Sequence, residues 1–288
     1  MKRALVKHFW SAKFRDGGVA TWMHEPALRR YINASVTGSE NQWPLEWFKE
    51  WLGARTFERG LSLGCGTGSL ERDIRRKKIC RSVVGLDLSA EALRQAEMQA
   101  REEGLDGIGY RTADFNQLDL GSEKFDIIFF HQALHHVENL EGCLDTCRSA
   151  LLPGGLIYLD EYVGPSRREW SRELMCEADA VYASLPAKLR RHRRMGLPVD
   201  WRDPSEAVRS SEILEQVGLR FQILEQRGYG SNLLALIYPN LELRDLSASE
   251  KEDVLLSLVE AERGLLARGI PSHCTVLVGS AMALPSMS

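Results

Sequence analysis

The segment that decides the fold reads Leu61-Ser62-Leu63-Gly64-Cys65-Gly66-Thr67-Gly68-Ser69-Leu70. Its apolar start, its three closely spaced glycines and the charged continuation through 71–78 predict a strand, a tight turn and the start of a helix. Glycine suits such a turn because it tolerates positive φ and lets a ligand approach the backbone. The unpaired N–H groups of the following helix start favour a negatively charged or polar ligand group.

The glycine spacing distinguishes this turn from two common nucleotide-binding loops. It is G-C-G-T-G, whereas dinucleotide folds use G-x-G-x-x-G and P-loops end in G-K-[ST]. A second apolar segment, 82–86, is followed by Asp87. An acidic residue at the end of the second strand of a βαβ unit is placed to accept hydrogen bonds from ribose hydroxyls. A ribose-bearing ligand without a phosphate cradle indicates an adenosyl group.

Six motifs along the chain resemble, in order, those of the class I S-adenosylmethionine-dependent methyltransferases. They occupy 61–68, 85–89, 113–116, 125–131, 134–137 and 151–155. Strands alternating with helices predict an α/β fold with a doubly wound sheet. The resemblance implies a mostly parallel, seven-stranded, Rossmann-like sheet whose last strand is antiparallel, with two helices inserted before that strand.

The resemblance also implies the cofactor, S-adenosyl-L-methionine, which leaves as S-adenosyl-L-homocysteine, and its binding residues. These are Gly64, Cys65, Gly66, Gly68, Asp87, Leu88, Asp114, Phe115 and His131. In the family, an acidic residue at the position of Asp114 binds the adenine amino group, and Leu88 and Phe115 fit the apolar pair that sandwiches the ring. Ligands of doubly wound sheets bind at the C-terminal ends of the strands, where these residues are predicted to lie.

We expect two regions in the chain. Residues 1–55 form an N-terminal helical lid or extension, and residues 56–288 form the cofactor-binding core, with an acceptor-site insert at about 164–212. Within that insert, the segment 203–209 is predicted to begin a helix, because Pro204 suits a first helical turn. The turn 153–155, Pro-Gly-Gly, is predicted to precede the fifth strand.

The N-terminal extension is dense in aromatic residues. Most of them are expected to pack against the core. The functional alternative is that a few line an acceptor pocket, and the candidates are Phe9, Trp10 and Tyr31.

Bulk composition favours a soluble enzyme over several other classes. The chain has 44% apolar and 27% charged residues and a net charge of −3, whereas nucleic-acid-binding proteins are usually basic. Six cysteines without a C-x-x-C pair suggest reduced thiols and a cytoplasmic location. No segment has the apolar length of a signal peptide or a membrane span, so no membrane partner is expected. The oligomeric state is left open.

Methyl transfer from a sulfonium requires a well-placed acceptor atom, about 3 Å from the methyl carbon, and a base where the acceptor must lose a proton. The predicted catalytic residues are His131, His135 and Glu161. His131 closes the fourth strand beside the expected methionine end of the cofactor, and His135 follows at the pocket mouth. An imidazole can accept a proton near neutral pH. Glu161 ends the fifth strand, where it either orients the acceptor or caps the following turn.

Two further roles for the histidines were weighed. His136 is a weaker candidate for the site than His131 and His135, because one member of a His-His pair can serve for packing or hydrogen bonding alone. A metal site on His131 and His135, at i and i+4, has no evident third ligand, so no metal is predicted.

The leading hypothesis is a methyltransferase that acts on a small-molecule acceptor, with oxygen favoured over nitrogen or carbon. An RNA- or DNA-directed methyltransferase is the first alternative, and the basic cluster 188–194 is its candidate dock. Against it, the fourth strand runs into His-Gln-Ala-Leu at 131–134, not the [DN]-P-P-[YF] used for base amines. The second alternative is a non-catalytic cofactor-binding protein that regulates a partner.

Overall fold

The structure, a computed structural model, describes residues 2–15, 21–197, 199 and 201–282. Within these residues, seven strands form a single sheet in the order β3-β2-β1-β4-β5-β7-β6. The strands are β1 Phe57–Leu63, β2 Cys80–Asp87, β3 Ile108–Thr112, β4 Phe125–His131, β5 Leu151–Tyr162, β6 Phe221–Gly228 and β7 Cys274–Ala281. Strands β1 to β5 pair in parallel, and β7 is antiparallel to both β5 and β6. The predicted doubly wound, Rossmann-like sheet with an antiparallel last strand is confirmed.

Ten α-helices accompany the sheet in the part of the chain that the structure describes. They are α1 Lys2–Arg15, α2 Pro26–Thr37, α3 Pro44–Leu52, α4 Ser69–Arg76, α5 Ala90–Glu102, α6 Leu140–Ala150, α7 Arg172–Ser184, α8 Ile213–Gly218, α9 Leu234–Ile237 and α10 Ala248–Ala267. The two helices expected between the last two strands are α9 and α10. None of the described helices combines the length and the apolar character needed to cross a bilayer.

The centre of the sheet explains where a ligand can bind. The side chains of β4 from Phe125 to Phe130 are buried apart from the half-buried Asp126, as expected for a central strand whose two faces are both covered by helices. The register pairs Leu63 with both Leu86 and Phe130. The C-terminal ends of β1, β2 and β4 therefore meet at one edge, and the loops that follow them share a cleft.

The N-terminal helices divide between core and cleft. On α2, Tyr31 is buried in the core with its hydroxyl near Glu262, which gives it the packing role expected of most of these aromatic residues. On α1, Trp10 lines both of the cavities described below. Phe9 packs edge-on against Trp10, with ring centroids 5.6 Å apart. Of the three candidate aromatic residues, Trp10 on α1 is the one that lines these cavities.

Two local predictions are wrong, each for a backbone reason. The segment 203–209 is a series of turns, and the helix begins only at Ile213. The Asp203 carboxylate accepts a hydrogen bond from the Ser205 N–H (2.8 Å), a local bond that competes with a helix, and Ala207 has φ 45°. The turn predicted at 153–155 lies inside β5, because the sheet register jumps from Phe125–Leu151 to Ile127–Leu156 and these residues form a bulge.

Candidate active site

The glycine turn between β1 and α4 forms one wall of a cavity of about 330 Å³. Gly64 has φ 76° and Gly66 has φ 51°, in the left-handed region that favours glycine. A Cβ atom on Gly64 would lie 2.2 Å from the Cβ of Ala133. A Cβ atom on Gly66 would lie 3.4 Å from the ring of Phe14, which also lines the cavity. Because glycine carries no side chain, the backbone of the turn faces the cavity directly.

Asp87 ties this turn to the start of α5. Its Oδ2 accepts from the Gly66 N–H at 2.9 Å, and its Oδ1 accepts from the Ser89 N–H at 2.8 Å. Burial raises the pKa of Asp87, and these backbone N–H groups, together with that of Leu88, oppose the rise. A carboxylate has about four lone-pair sites, so Asp87, which lines the cavity, retains acceptor capacity for a ligand.

The far end of the cavity combines apolar and acidic groups. Leu88, Asp114 and Phe115 all line it. The Asp114 carboxylate accepts from the Asn116 N–H at 3.0 Å, which fixes the turn after β3. An acidic group in the same cavity as two apolar side chains is suited to a flat, nitrogen-bearing ring.

Two predicted cofactor residues lie behind the turn instead of in the cavity wall. Cys65 is buried, and its side chain packs on Gly85 of β2. Gly68 is the N-cap of α4, with φ 77°, and a Cβ there would lie 2.2 Å from the hydroxyl of Tyr110. The structure thus gives both residues a packing role that supports the turn.

A second cavity of about 860 Å³ adjoins the first. The two share Trp10, Gln132 and His136 as lining residues. His131 and His135 line the second cavity. The predicted catalytic histidines therefore line the second cavity, and the predicted ribose-binding and ring-binding residues line the first. The two cavities meet at their common lining residues, which are called the shared wall below.

His135 is held by a buried carboxylate. Glu161 has no exposed surface, and its Oε1 lies 2.5 Å from His135 Nδ1. Its Oε2 accepts from the N–H groups of Ala133 (2.8 Å) and Leu134 (2.6 Å). The prediction that Glu161 faces the acceptor is not what the structure shows, because the carboxylate lies behind the imidazole and anchors the loop after β4.

The charges of this pair stabilise each other. Burial acts to lower the pKa of His135, but the attraction of the Glu161 carboxylate and its hydrogen bond outweigh burial and raise it. Burial acts to raise the pKa of Glu161, but His135 and the two backbone N–H groups bring it below its usual value. With Nδ1 turned to Glu161, the other ring nitrogen, Nε2, is left for a ligand.

His131 and His136 differ in their surroundings. The His131 side chain is 46% exposed, and its Nε2 lies 3.7 Å from Asp160 Oδ2. His136 lies edge-on to Trp10, with ring centroids 5.1 Å apart. Burial, together with the neighbouring His135, lowers the pKa of His136 to about 4. His136 lines both cavities, although the sequence analysis preferred His131 and His135 as site residues.

Arg29 on α2 is a wall residue that sequence reasoning missed. Its Nε and Nη2 donate to the main-chain oxygen of Met23 at 3.2 and 3.0 Å. Burial lowers the pKa of Arg29, against the attraction of Asp160. In the part of the chain that the structure describes, no carboxylate lies within the 4.0 Å of an ion pair with it. Arg29 therefore brings a partly buried positive charge to the second cavity.

Comparison with known families finds methyltransferases. Residues 61–159 match the family model described as a methyltransferase domain. The ubiquinone biosynthesis O-methyltransferase of Agrobacterium fabrum is 28% identical over 175 residues, which are 59% of this chain and 65% of that protein. The enzyme of the same description from Chelativorans sp. is 32% identical, over 54% of this chain and 58% of that protein.

A sterol 24-C-methyltransferase of Clavispora lusitaniae is 32% identical over 40% of this chain and 31% of that protein. The chain thus spans less than two thirds of the length of each of these three relatives.

Solved structures share the fold. The [4+2]-cyclase SpnF superimposes with a TM-score of 0.55 at 16% identity, over 99% of this chain and 98% of that one. A putative methyltransferase in complex with the Haloferax volcanii Trm112 activator gives 0.53 at 17% identity, over 96% and 97%. At such identities the likeness concerns the fold alone.

Proposed function

We propose that this chain is a class I S-adenosylmethionine-dependent methyltransferase that transfers a methyl group to an oxygen atom of a small-molecule acceptor. The observation that carries the proposal is the shared wall between the two cavities, with Asp87 on one side and the His135–Glu161 pair on the other. Oxygen is favoured because two of the relatives are described as O-methyltransferases.

A reducing, cytoplasmic setting agrees with six unpaired cysteines.

The smaller cavity fits the cofactor. The backbone at Gly64 and Gly66 is open to a ligand that a Cβ would exclude, and Asp87 has lone pairs left for ribose hydroxyls. Leu88 and Phe115 would hold the adenine ring. When bound, S-adenosylmethionine supplies a methyl group that is already activated by a positively charged sulfur.

Arg29 suits the methionine end of the cofactor, because that end carries a carboxylate. A partly buried guanidinium without a carboxylate partner in the described part of the chain is costly unless a ligand supplies the negative charge. Arg29 lines the same cavity as His131 and Gln132, at the end of β4. We assign it to the cofactor's carboxylate.

The acceptor's proton is taken up on the other side of the wall. Above its raised pKa, His135 is neutral and donates its Nδ1–H to Glu161, which leaves Nε2 as the acceptor nitrogen for the cavity. Glu161 acts as a positioning residue: it fixes the tautomer and the orientation of the ring, as the carboxylate of a catalytic triad does. His131, on the same wall, is the second proton acceptor.

The test is methyl transfer from isotopically labelled cofactor to a panel of phenols, aliphatic alcohols, amines and structured RNA. We expect label on the oxygen of a phenol or an alcohol, identified by mass spectrometry, and its loss in Asp87→Ala. Label in RNA would replace this proposal with an RNA-directed activity. Cofactor binding by calorimetry without label in any acceptor would favour a non-catalytic regulatory protein.

A further inference from the structure

We propose that the larger cavity binds a divalent transition-metal ion through His135, His136 and Glu206. One ligand atom of each residue lies within 4.8 Å of the other two. The two imidazole rings have centroids 4.1 Å apart, and all three residues line the cavity. Glu206 is 70 residues beyond His136 in the sequence, so the fold, and no local motif, brings the third ligand to the histidines.

Each histidine has a buried carboxylate behind it. His135 Nδ1 lies 2.5 Å from Glu161, and His136 Nδ1 lies 3.6 Å from Asp203 Oδ2 and 3.3 Å from the Ser205 hydroxyl. Both carboxylate side chains have no exposed surface. Metal-binding histidines characteristically give their other ring N–H to such a carboxylate, which fixes the ring and raises its basicity. His135 has this arrangement, whereas His136 Nδ1 contacts the Ser205 hydroxyl with the Asp203 carboxylate close by. In both residues Nε2 is the ring nitrogen left for a ligand.

The backbone around Glu206 supports the cluster. The Val208 N–H donates to the main-chain oxygen of His135 at 3.3 Å, which joins the loop carrying Glu206 to the loop carrying the histidines. Asp203 accepts from the N–H and the hydroxyl of Ser205 at 2.8 and 2.6 Å. Glu206 is therefore held between two anchored neighbours and directed to the cavity.

The donor set indicates the class of ion. Two imidazole nitrogens and one carboxylate, with further positions open, are used for Zn²⁺ in catalytic sites and for other first-row ions with imidazole and carboxylate ligands. A Ca²⁺ or Mg²⁺ site would require mostly oxygen ligands. We therefore expect Zn²⁺, Co²⁺ or Mn²⁺ rather than an alkaline-earth ion.

Where the proposed methyltransferase function holds, the cation also defines the acceptor. Its open positions face the cavity, so an acceptor with a hydroxyl beside a second oxygen can bind through both. A bound cation lowers the pKa of a coordinated hydroxyl. His135 would then hold the cation instead of acting as the base, and the coordinated hydroxyl would release its proton to His131, which lines the same cavity, or to water. The resulting oxyanion would form the new bond to the methyl carbon as the bond from that carbon to sulfur breaks. This part of the inference rests on the proposed function, whereas the ion site itself does not.

The ion site is tested on the full chain without any acceptor. After removal of metal by a chelator, the protein is titrated with Co²⁺, followed by visible absorption, and with Zn²⁺, followed by calorimetry. We expect one equivalent to bind. Glu206→Gln and His136→Asn should weaken binding of the ion more than tenfold. Asp203→Asn, which changes the carboxylate beside His136, should weaken it by about 10- to 100-fold.

Two controls separate this cluster from other ligands. His131→Asn removes an imidazole from the same cavity, and Cys176→Ser removes the exposed thiol; both should bind the ion as the wild type does. Absence of saturable binding, or binding that Glu206→Gln and His136→Asn leave unchanged, would overturn the proposal. Cofactor affinity measured on the same samples distinguishes the failure of this inference from the failure of the methyltransferase function.

Discussion

Glu71 offers a quantitative test of the electrostatics beneath the glycine turn. It lies in the first turn of α4, has no exposed surface, and neither carboxylate oxygen has a hydrogen-bond partner among the described residues. Burial raises the pKa of Glu71 from 4.5 to about 7, against the opposing influence of the nearby Ser62 hydroxyl and Arg72 guanidinium. The folded protein therefore binds a proton that the unfolded chain releases at lower pH.

The sign and the size of the effect follow from linkage. The folding stability that comes from the raised pKa of Glu71 is present in full below its unfolded-state pKa of 4.5. It falls as the pH rises and is lost once the pH exceeds its folded-state pKa of about 7. A difference of about 2.5 pKa units corresponds to roughly 3 kcal/mol, at 1.36 kcal/mol per unit. Glu71→Gln resembles the protonated acid in shape and cannot ionise. Relative to the wild type, it should gain about 3 kcal/mol between pH 4 and pH 8.

The assay is urea unfolding of both proteins at pH 4, 5, 6, 7 and 8. The informative quantity is how the difference in unfolding free energy between Glu71→Gln and the wild type changes with pH. Any destabilisation by the amide that does not depend on pH cancels in that change. Glu102→Gln, on the exposed surface of α5, is the matched control, and its difference from the wild type should stay flat. A flat profile for Glu71→Gln, or one that falls with pH, would refute the account of Glu71 as a buried acid.

The remaining predictions concern the site. Asp87→Ala should weaken cofactor binding by about 2 kcal/mol, or roughly 30-fold, if two hydrogen bonds to a charged acceptor are lost; unchanged affinity by calorimetry in a folded variant would remove Asp87 from the site. Gly66→Val should abolish cofactor binding, whereas Gly104→Val, at φ 63° with nothing within 4 Å of its Cβ, shares the backbone strain and should keep it; equal affinities would show that the turn does not hold the ligand. Glu161→Gln should lower kcat by about 10²-fold through misorientation of His135, with cofactor affinity unchanged; an unaltered kcat would show that the carboxylate serves only the loop.

Much of the sheet could be predicted from sequence because the information is local. The glycine turn and the apolar run of β4 each specify their own conformation, and β3, predicted at 108–112, is observed at Ile108–Thr112. The bulge at 153–155 could not be predicted, because Pro-Gly-Gly is typical of a turn and its place in β5 depends on pairing with β4. The helix predicted at 203–209 could not be excluded from sequence for a similar reason, since the Ser205 N–H bonds to the Asp203 side chain instead of to a helical carbonyl.

The residues of the candidate site show the same contrast between local and long-range information. Gly64 and Asp87 were predicted because the βαβ unit fixes which residues end its strands. Arg29 and Glu206 come from segments far from these motifs, and only tertiary packing brings them to the cavity. Glu161 was placed at the right strand end but in the wrong environment, because neighbouring residues of a strand point to opposite faces and the sequence does not tell which face holds the ligand.

Helix α1 has a consequence for the timing of turnover. It contributes Val6, Trp10 and Phe14 to the smaller cavity. Among the described residues, its polar contacts with α5 include the Ser11–Ser89 hydroxyl contact at 3.2 Å and the Gln95 side chain donating to the Phe14 main-chain oxygen at 3.3 Å. Side-chain bonds of this kind break far more readily than the sheet unfolds. We therefore expect that a cofactor bound in the smaller cavity leaves when this 14-residue helix moves away from α5, in which case the opening of α1 would set the residence time of the spent cofactor.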